Sequence, residues 1–304
     1  MHSLFDACLM GQGSATYKGT IFVVVGGSST QCKSSPDGTT WTNRSMPSTA
    51  SWFAIDGVSG HFVAVATSSS AAAYSTDGQT WHAATLPASR VWHDVKVTAT
   101  GLAVAVATGT DKGAYSTDFG ATWSEMTLPS SGSWWEVEHN GTVFCTYKDG
   151  TAAATSPDGV TWTPQTLAAV TSVGSGISGL TTYGGSFVLV CSNGVQVSSN
   201  GTSWTLYDMP NVTSWYGVAA SSSRISSFSA GGSGAQCAIS DDGGATWASG
   251  TSPFSSIARM AYGDRAGVFC GIDNANYSTS SDGQSWAVKT AFGTSGWGSV
   301  AWGG

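Results

Sequence analysis

The chain has 304 residues, a net charge of −7 and only 10% charged residues, against about 25% in an ordinary globular protein. A hydrophobic fraction of 41% excludes a disordered chain, and the lack of any Lys/Arg cluster argues against a nucleic-acid partner. The solvated surface is therefore built largely from Ser, Thr, Gly and Asn.

The first segment, MHSLFDACLMGQG (1–13), has neither a basic start nor a long apolar stretch. It reads as an N-terminal extension, and no signal peptide is expected. No apolar run approaches the roughly 18 residues of a membrane span. IFVVV (21–25) is nearly continuous in apolar residues, which predicts a strand buried on both faces. SPDGTTW (35–41) then predicts a turn between two strands. Gly tolerates a positive φ there, and the Asp carboxylate can accept bonds from nearby backbone N–H groups.

This turn returns along the whole chain. Its further copies are STDGQTW (75–81), STDFGATW (116–123), SPDGVTW (156–162), SSNGTSW (198–204), SDDGGATW (240–247) and SSDGQSW (280–286). The period is about 41 residues, the length of a four-stranded propeller blade. The sixth residue after the motif Trp is Pro47, Pro87, Pro129, Pro210 or Pro253 in five units. The eleventh is Trp52, Trp92, Trp134, Trp215 or Trp297. About ten residues later come apolar runs such as FVAVA (62–66), LAVAVA (102–107) and FVLVC (187–191). No helical periodicity of useful length is visible.

The prediction is one all-β domain over residues 1–304, a seven-bladed β-propeller of four-stranded antiparallel blades labelled A to D from the axis outward. The segment WGSVAWGG (297–304) aligns with an A strand and is expected to close the ring beside residues 20–47. A strand near residues 14–17 is the alternative. VGSGISG (173–179) is a candidate loop at the channel end. Of six cysteines, Cys8, Cys32, Cys145, Cys191, Cys237 and Cys270, none forms a CxxC pair, and reduced structural thiols are expected.

The seven turns resemble Asp-box (BNR) repeats, with the pattern S-x-D-x-G-x-T-W. Two copies match in full and five are one residue shorter. The resemblance implies a sialidase-like propeller with the box between strands C and D, on the face opposite the usual ligand site. Asp37, Asp77, Asp118, Asp158, Asn200, Asp242 and Asp282 are thereby excluded from catalysis. The sialidase catalytic pattern itself is not met. The nearest match to its Arg-Ile-Pro motif is RSMP (44–47), and the only glutamates are Glu125, Glu136 and Glu138. No metal-ligand spacing, cofactor loop or Ser-His-Asp arrangement is present, so no cofactor is expected.

The candidate ligand-binding residues are Trp52, Trp92, Trp134, Trp215 and Trp297, with Asp94, Glu136 and Arg259 beside them. All are placed where the A strands begin. The indoles suit stacking on a sugar or a protein partner; the other reading packs them between blades. Asp94, Glu136 and Glu138 either supply a carboxylate pair of glycosidase type or are solvated or hydrogen-bonded groups around a channel. Low charge and a Ser/Thr/Gly-rich surface resemble phage tail or virion propellers. The expected function is a non-catalytic adhesin for a host-surface glycan or a protein partner, with other virion proteins as further candidate partners. It would work in the virion or outside the cell after synthesis in the cytoplasm. The alternatives are a glycoside hydrolase and an intracellular assembly scaffold.

Overall fold

The computed structural model describes residues 20–168, 179–191, 194–210, 214–230, 236–251, 259–273, 275–289, 292 and 296–304. Among these, every regular element is a strand, and the arrangement is an all-β propeller. The 1–13 extension, the alternative strand at 14–17 and VGSGISG up to residue 178 lie outside the described residues.

Each sheet grows outward from an inner strand by antiparallel pairing. One sheet runs Trp297–Trp302, Phe22–Gly26, Ser29–Ser35, Thr42–Ala50. The C-terminal strand is thus its innermost member, with Phe22 opposite Trp302 and Val24 opposite Val300. Four more four-stranded sheets begin at Trp134–His139, Gly179–Tyr183, Ser214–Ala220 and Arg259–Gly263.

The remaining strands form one seven-stranded sheet rather than two four-stranded ones. The cause is strand His82–Val97, which runs unbroken through a region expected to hold two strands. Its first part pairs with Ser69–Ser75, and its last part, Val91–Val97, pairs with Ala103–Thr108. Pro87 interrupts neither ladder, because the residues paired with Ser69–Ser75 are 82–85 and Arg90.

In the five four-stranded sheets the motif turn joins the third and fourth strands, and in the seven-stranded sheet two such turns join neighbouring strands. In the first, Ser35 Oγ donates to Asp37 Oδ1 at 2.9 Å. The same oxygen accepts the backbone N–H groups of Thr39 at 2.8 Å and Thr40 at 2.7 Å. Gly38 sits at φ 72°, and its carbonyl accepts Trp41 Nε1 at 3.1 Å. The Ser-to-Asp bond recurs at Asp77, Asp118, Asp158, Asp242 and Asp282. At the fifth turn Asn200 fills the role, accepting from Thr202 and Ser203 N–H through Oδ1. Two tryptophans depart from the pattern. Trp162 donates to Met126 Sδ, and the Trp81 indole N–H turns to the Cys32 thiol.

Between the sheets lies a dry core of apolar second strands. Phe22, Phe62, Phe144, Phe187 and Phe269 are all essentially inaccessible, each at the start of a second strand or beside it. A methyl on Gly78 would lie 2.8 Å from the Phe62 ring and 2.9 Å from Ile21 and Val23. Turn glycine and core phenylalanine therefore fix one another's position. Cys32, Cys145, Cys237 and Cys270 are buried free thiols, and burial pushes Cys32 up to about 12 and Cys237 up to about 11.

The turn carboxylates make stability pH-dependent. Burial alone would raise the Asp37 carboxyl, but the Thr40 and Thr39 N–H donors and Ser35 outweigh it and bring its pKa down to about 2. Asp282 is likewise lowered to about 2, and Asp77, Asp118, Asp158 and Asp242 move in the same direction. A depressed native pKa adds stability above the unfolded-state value, and that stability is lost as pH falls through the native value. Denaturant unfolding between pH 5 and about 2 should therefore show declining stability. Asp37→Asn and Asp282→Asn, with Asn200 as precedent for the geometry, should be less stable than wild type at pH 7 and converge with it near pH 2. A constant difference across that range would place the effect elsewhere. Separately, removing residues 297–304 uncovers the fully buried strand Phe22–Gly26 and should cost about 4 kcal/mol or more. An unchanged melting temperature would count against this closure.

Candidate functional site

The inner strands surround an axial cavity of about 280 Å³, and all of them contribute to its lining. Their register contains an irregularity that decides which side chains reach it. Opposite the neighbouring strand, Trp52 faces Ala66 while Ala54 faces Val65, so Phe53 is an extra residue. The same one-residue bulge follows Trp92, Trp134, Trp215 and Trp297. A bulge flips the alternation of the strand beyond it. The Trp then points into the core, while Asp94, Glu136, Gly217 and Ser299, each two places beyond its Trp, line the cavity.

Trp52, Trp92, Trp134, Trp215 and Trp297, expected at the channel mouth for stacking, are placed in the core instead. Each is at most 4% exposed and packs between sheets. Trp52, Trp92 and Trp134 satisfy their indole N–H on the carbonyls of Ser48, Ala88 and Ser130. The aromatic side chains near the channel mouth are instead the residues that follow them. Phe53, His93 and Trp135 form a half-buried row, with centroids 5.0 Å apart for the first pair and 4.9 Å for the second. Tyr216 lines the cavity itself. The signal for this row was present in the sequence as an aromatic residue after the aligned Trp, but only with the bulge known could it be read.

The structure brings Asp94, Glu136 and Arg259 together at the cavity. Arg259 Nη1 pairs with Glu136 Oε1 at 2.5 Å, and Glu136 Oε2 accepts the Leu180 N–H at 2.6 Å. Arg259 also lies over the Phe53 ring at 5.9 Å. Asp94 Oδ2 accepts the Val137 N–H at 2.9 Å. A second charged cluster, of which only Glu138 was singled out from the sequence, sits two residues further along the strands. There Lys96 bridges Asp56 at 3.5 Å and Glu138 at 3.0 Å, and Asp56 Oδ2 accepts the Val97 N–H at 2.9 Å.

Three of these carboxylates repeat one contact. Asp56, Asp94 and Glu136 each accept a backbone N–H from the next inner strand around the ring. An inner strand is a sheet edge, and its outward N–H groups need partners when water is scarce. The carboxylates supply them.

Burial dominates the electrostatics. It pushes Asp94 well above its ordinary value, helped by Glu136, with Arg259 and the Val137 N–H opposing. Burial also raises Glu136, against Arg259 and the Leu180 N–H. Lys96 is raised although burial opposes its charge, because Asp56 and Glu138 outweigh it. His93 is driven down to about 3 by burial and then by Arg259, so its neutral ring donates Nδ1–H to the Trp135 carbonyl at 2.5 Å. Among the described residues no group of His, Cys, Asp and Glu could hold a metal ion.

No family model matches the sequence, and no curated protein does so either. Solved structures do share the fold. A streptogramin B lyase is 12% identical, with a TM-score of 0.69 over 85% of this chain and 92% of its own. YCF48 bound to a D1 peptide is 15% identical, with a TM-score of 0.61 over 84% and 89%. A functionally unknown protein from Desulfotomaculum acetoxidans DSM 771 is 11% identical, with a TM-score of 0.70 over 93% and 99%. At such identities the likeness establishes a propeller fold.

A native pKa raised above the unfolded one reverses the sign seen at the turns. Stability conferred by protonated Asp94 is lost as pH rises through its native value. Asp94→Asn keeps an acceptor for Val137 and removes the charge. It should melt higher than wild type at pH 8, and the two should converge near pH 4. Scanning calorimetry across that range checks this, and a variant less stable at every pH would mean that the Asp94 charge is net stabilising.

Proposed function

We propose that the chain is a non-catalytic binding propeller whose site is the mouth of the axial channel, on the face where the inner strands begin. In this reading the blades number seven. Strand His82–Val97 serves as the outer strand of one blade and the inner strand of the next. The recurrent turns are Asp boxes, on the opposite face and devoted to structure. The low-charge, Ser/Thr/Gly-rich surface supports a place in a virion or another extracellular assembly, as an adhesin for a host-surface glycan or a protein partner.

One observation carries the non-catalytic reading. The carboxylates that hydrolysis would need are engaged as ties between strands, with both oxygens of Glu136 committed to Arg259 and to the Leu180 N–H. A glycosidase acid must meet a leaving group, and its partner must meet the sugar or a water. The peptide bound by YCF48 supports a protein partner for a propeller of this shape. The opposing reading is a glycoside hydrolase. It rests on the raised pKa of buried Asp94 beside Glu136, since an acid catalyst must hold its proton near neutral pH.

Probing glycan and peptide arrays with the intact chain, beside a release assay on chromogenic glycosides, separates these readings. Binding without turnover is the expected outcome. Turnover that disappears in Glu136→Gln would assign the chain to the hydrolases.

A further inference from the structure

The charges facing the channel do not balance. Its lining among the described residues includes four carboxylates, on Asp56, Asp94, Glu136 and Glu138, but two cations, on Lys96 and Arg259. Arg259 is claimed by Glu136, and Lys96 is shared by Asp56 and Glu138. Asp94 is left without a cation in contact, and its hydrogen bonds among the described residues stop at Val137. His93, next to it, stays neutral and hydrogen-bonded to a carbonyl, so it brings no compensating charge. Across the axis from the carboxylates the lining is made of uncharged residues, Gly217, Ala219 and Ala220 among them. Tyr216, itself half-buried, lines the cavity on that side.

Resting on the binding reading above, we propose that the channel mouth receives one cationic side chain, a lysine or arginine presented by a protein partner, with Asp94 as its counter-ion. A guanidinium or ammonium entering from the face where the inner strands begin meets the second oxygen of Asp94. Alone, Asp94 is held toward its protonated form by burial, and the arriving cation draws it to the carboxylate. Tyr216 offers the ring face that such cations favour, and Arg259 over Phe53 is an internal example of that contact. The chain's overall charge of −7 steers a basic segment toward it. A neutral glycan would leave the excess negative charge where it is.

Calorimetric titration of the full chain tests this with capped Gly-Gly-Arg-Gly-Gly and the matched peptides carrying Gln or Glu at the centre. Maltotriose serves as the neutral sugar. The arginine peptide should bind about tenfold or more tighter than the glutamine peptide, and more weakly as salt rises. Asp94→Asn should abolish that preference while melting at or above the wild-type temperature. Tyr216→Leu should weaken the arginine peptide and keep the preference over glutamate. Equal binding of the arginine and glutamine peptides, preference for the glutamate peptide, or no binding of any peptide would overturn the proposal. Binding of maltotriose alone would overturn it and leave the binding reading standing, whereas glycoside turnover lost in Glu136→Gln would remove both.

Discussion

The molecule depends on how closely neighbouring inner strands can approach around the axis. At two junctions the backbone itself sets the limit. A methyl on Gly179 would lie 2.2 Å from the Tyr216 carbonyl oxygen, and one on Gly298 would lie 2.6 Å from that of Trp52. No side chain fits there, so these junctions close by backbone contact. At three other junctions the strands are tied by a carboxylate that accepts the next strand's N–H, from Asp56, Asp94 and Glu136. Both solutions answer the same need, since an edge strand turned toward a narrow channel cannot leave its donors bare.

The ties bring charge into a place that disfavours it, and the consequences differ between the two clusters. Lys96 stands between Asp56 and Glu138, and their attraction exceeds the cost of its burial. Arg259 does the same for Glu136. Asp94 receives only the more distant field of Arg259, against crowding from Glu136 and Glu138. Breaking a buried ion pair is far more damaging than replacing it whole by apolar groups. Truncating Arg259 would therefore strand Glu136, whereas neutralising Asp94 strands nothing. The two carboxylates on one wall are chemically unlike, although they occupy equivalent places in adjacent repeats.

Much of the architecture was legible in the sequence because its turns are local. Ser, Asp and Gly within seven or eight residues specify a hairpin that closes on its own side chains, and the motif is read whole wherever it occurs. The apolar runs were legible because strands buried on both faces carry no polar alternation. Two features were not. Strand His82–Val97 continues from one sheet into the next because nothing at Ala88–Arg90 forces the chain out of extended geometry. The bulge after each aligned Trp left no glycine to mark it in most repeats, for the extra residue is Phe53, His93 or Tyr216. A strict period of two put Trp92 and Asp94 on one face. The inserted residue separates them, sending the indole to the core and the carboxylate to the axis.

That separation has a structural logic. An indole at the channel mouth would have to be wetted in every blade. Turned inward, Trp52, Trp92, Trp134, Trp215 and Trp297 each bury a large apolar area between sheets while their position stays fixed by the bulge. The bulge also frees the next position of packing duty, and there the repeats diverge: Ala54, Asp94, Glu136, Gly217 and Ser299 stand at the places that follow the five bulges. A repeat fold ordinarily presents the same chemistry in every unit. Here the tryptophan anchor is nearly constant, and the residue beyond the bulge varies from carboxylate to glycine. The channel is consequently lopsided, charged on one wall and small on the other, although the ring around it is built from one repeated unit.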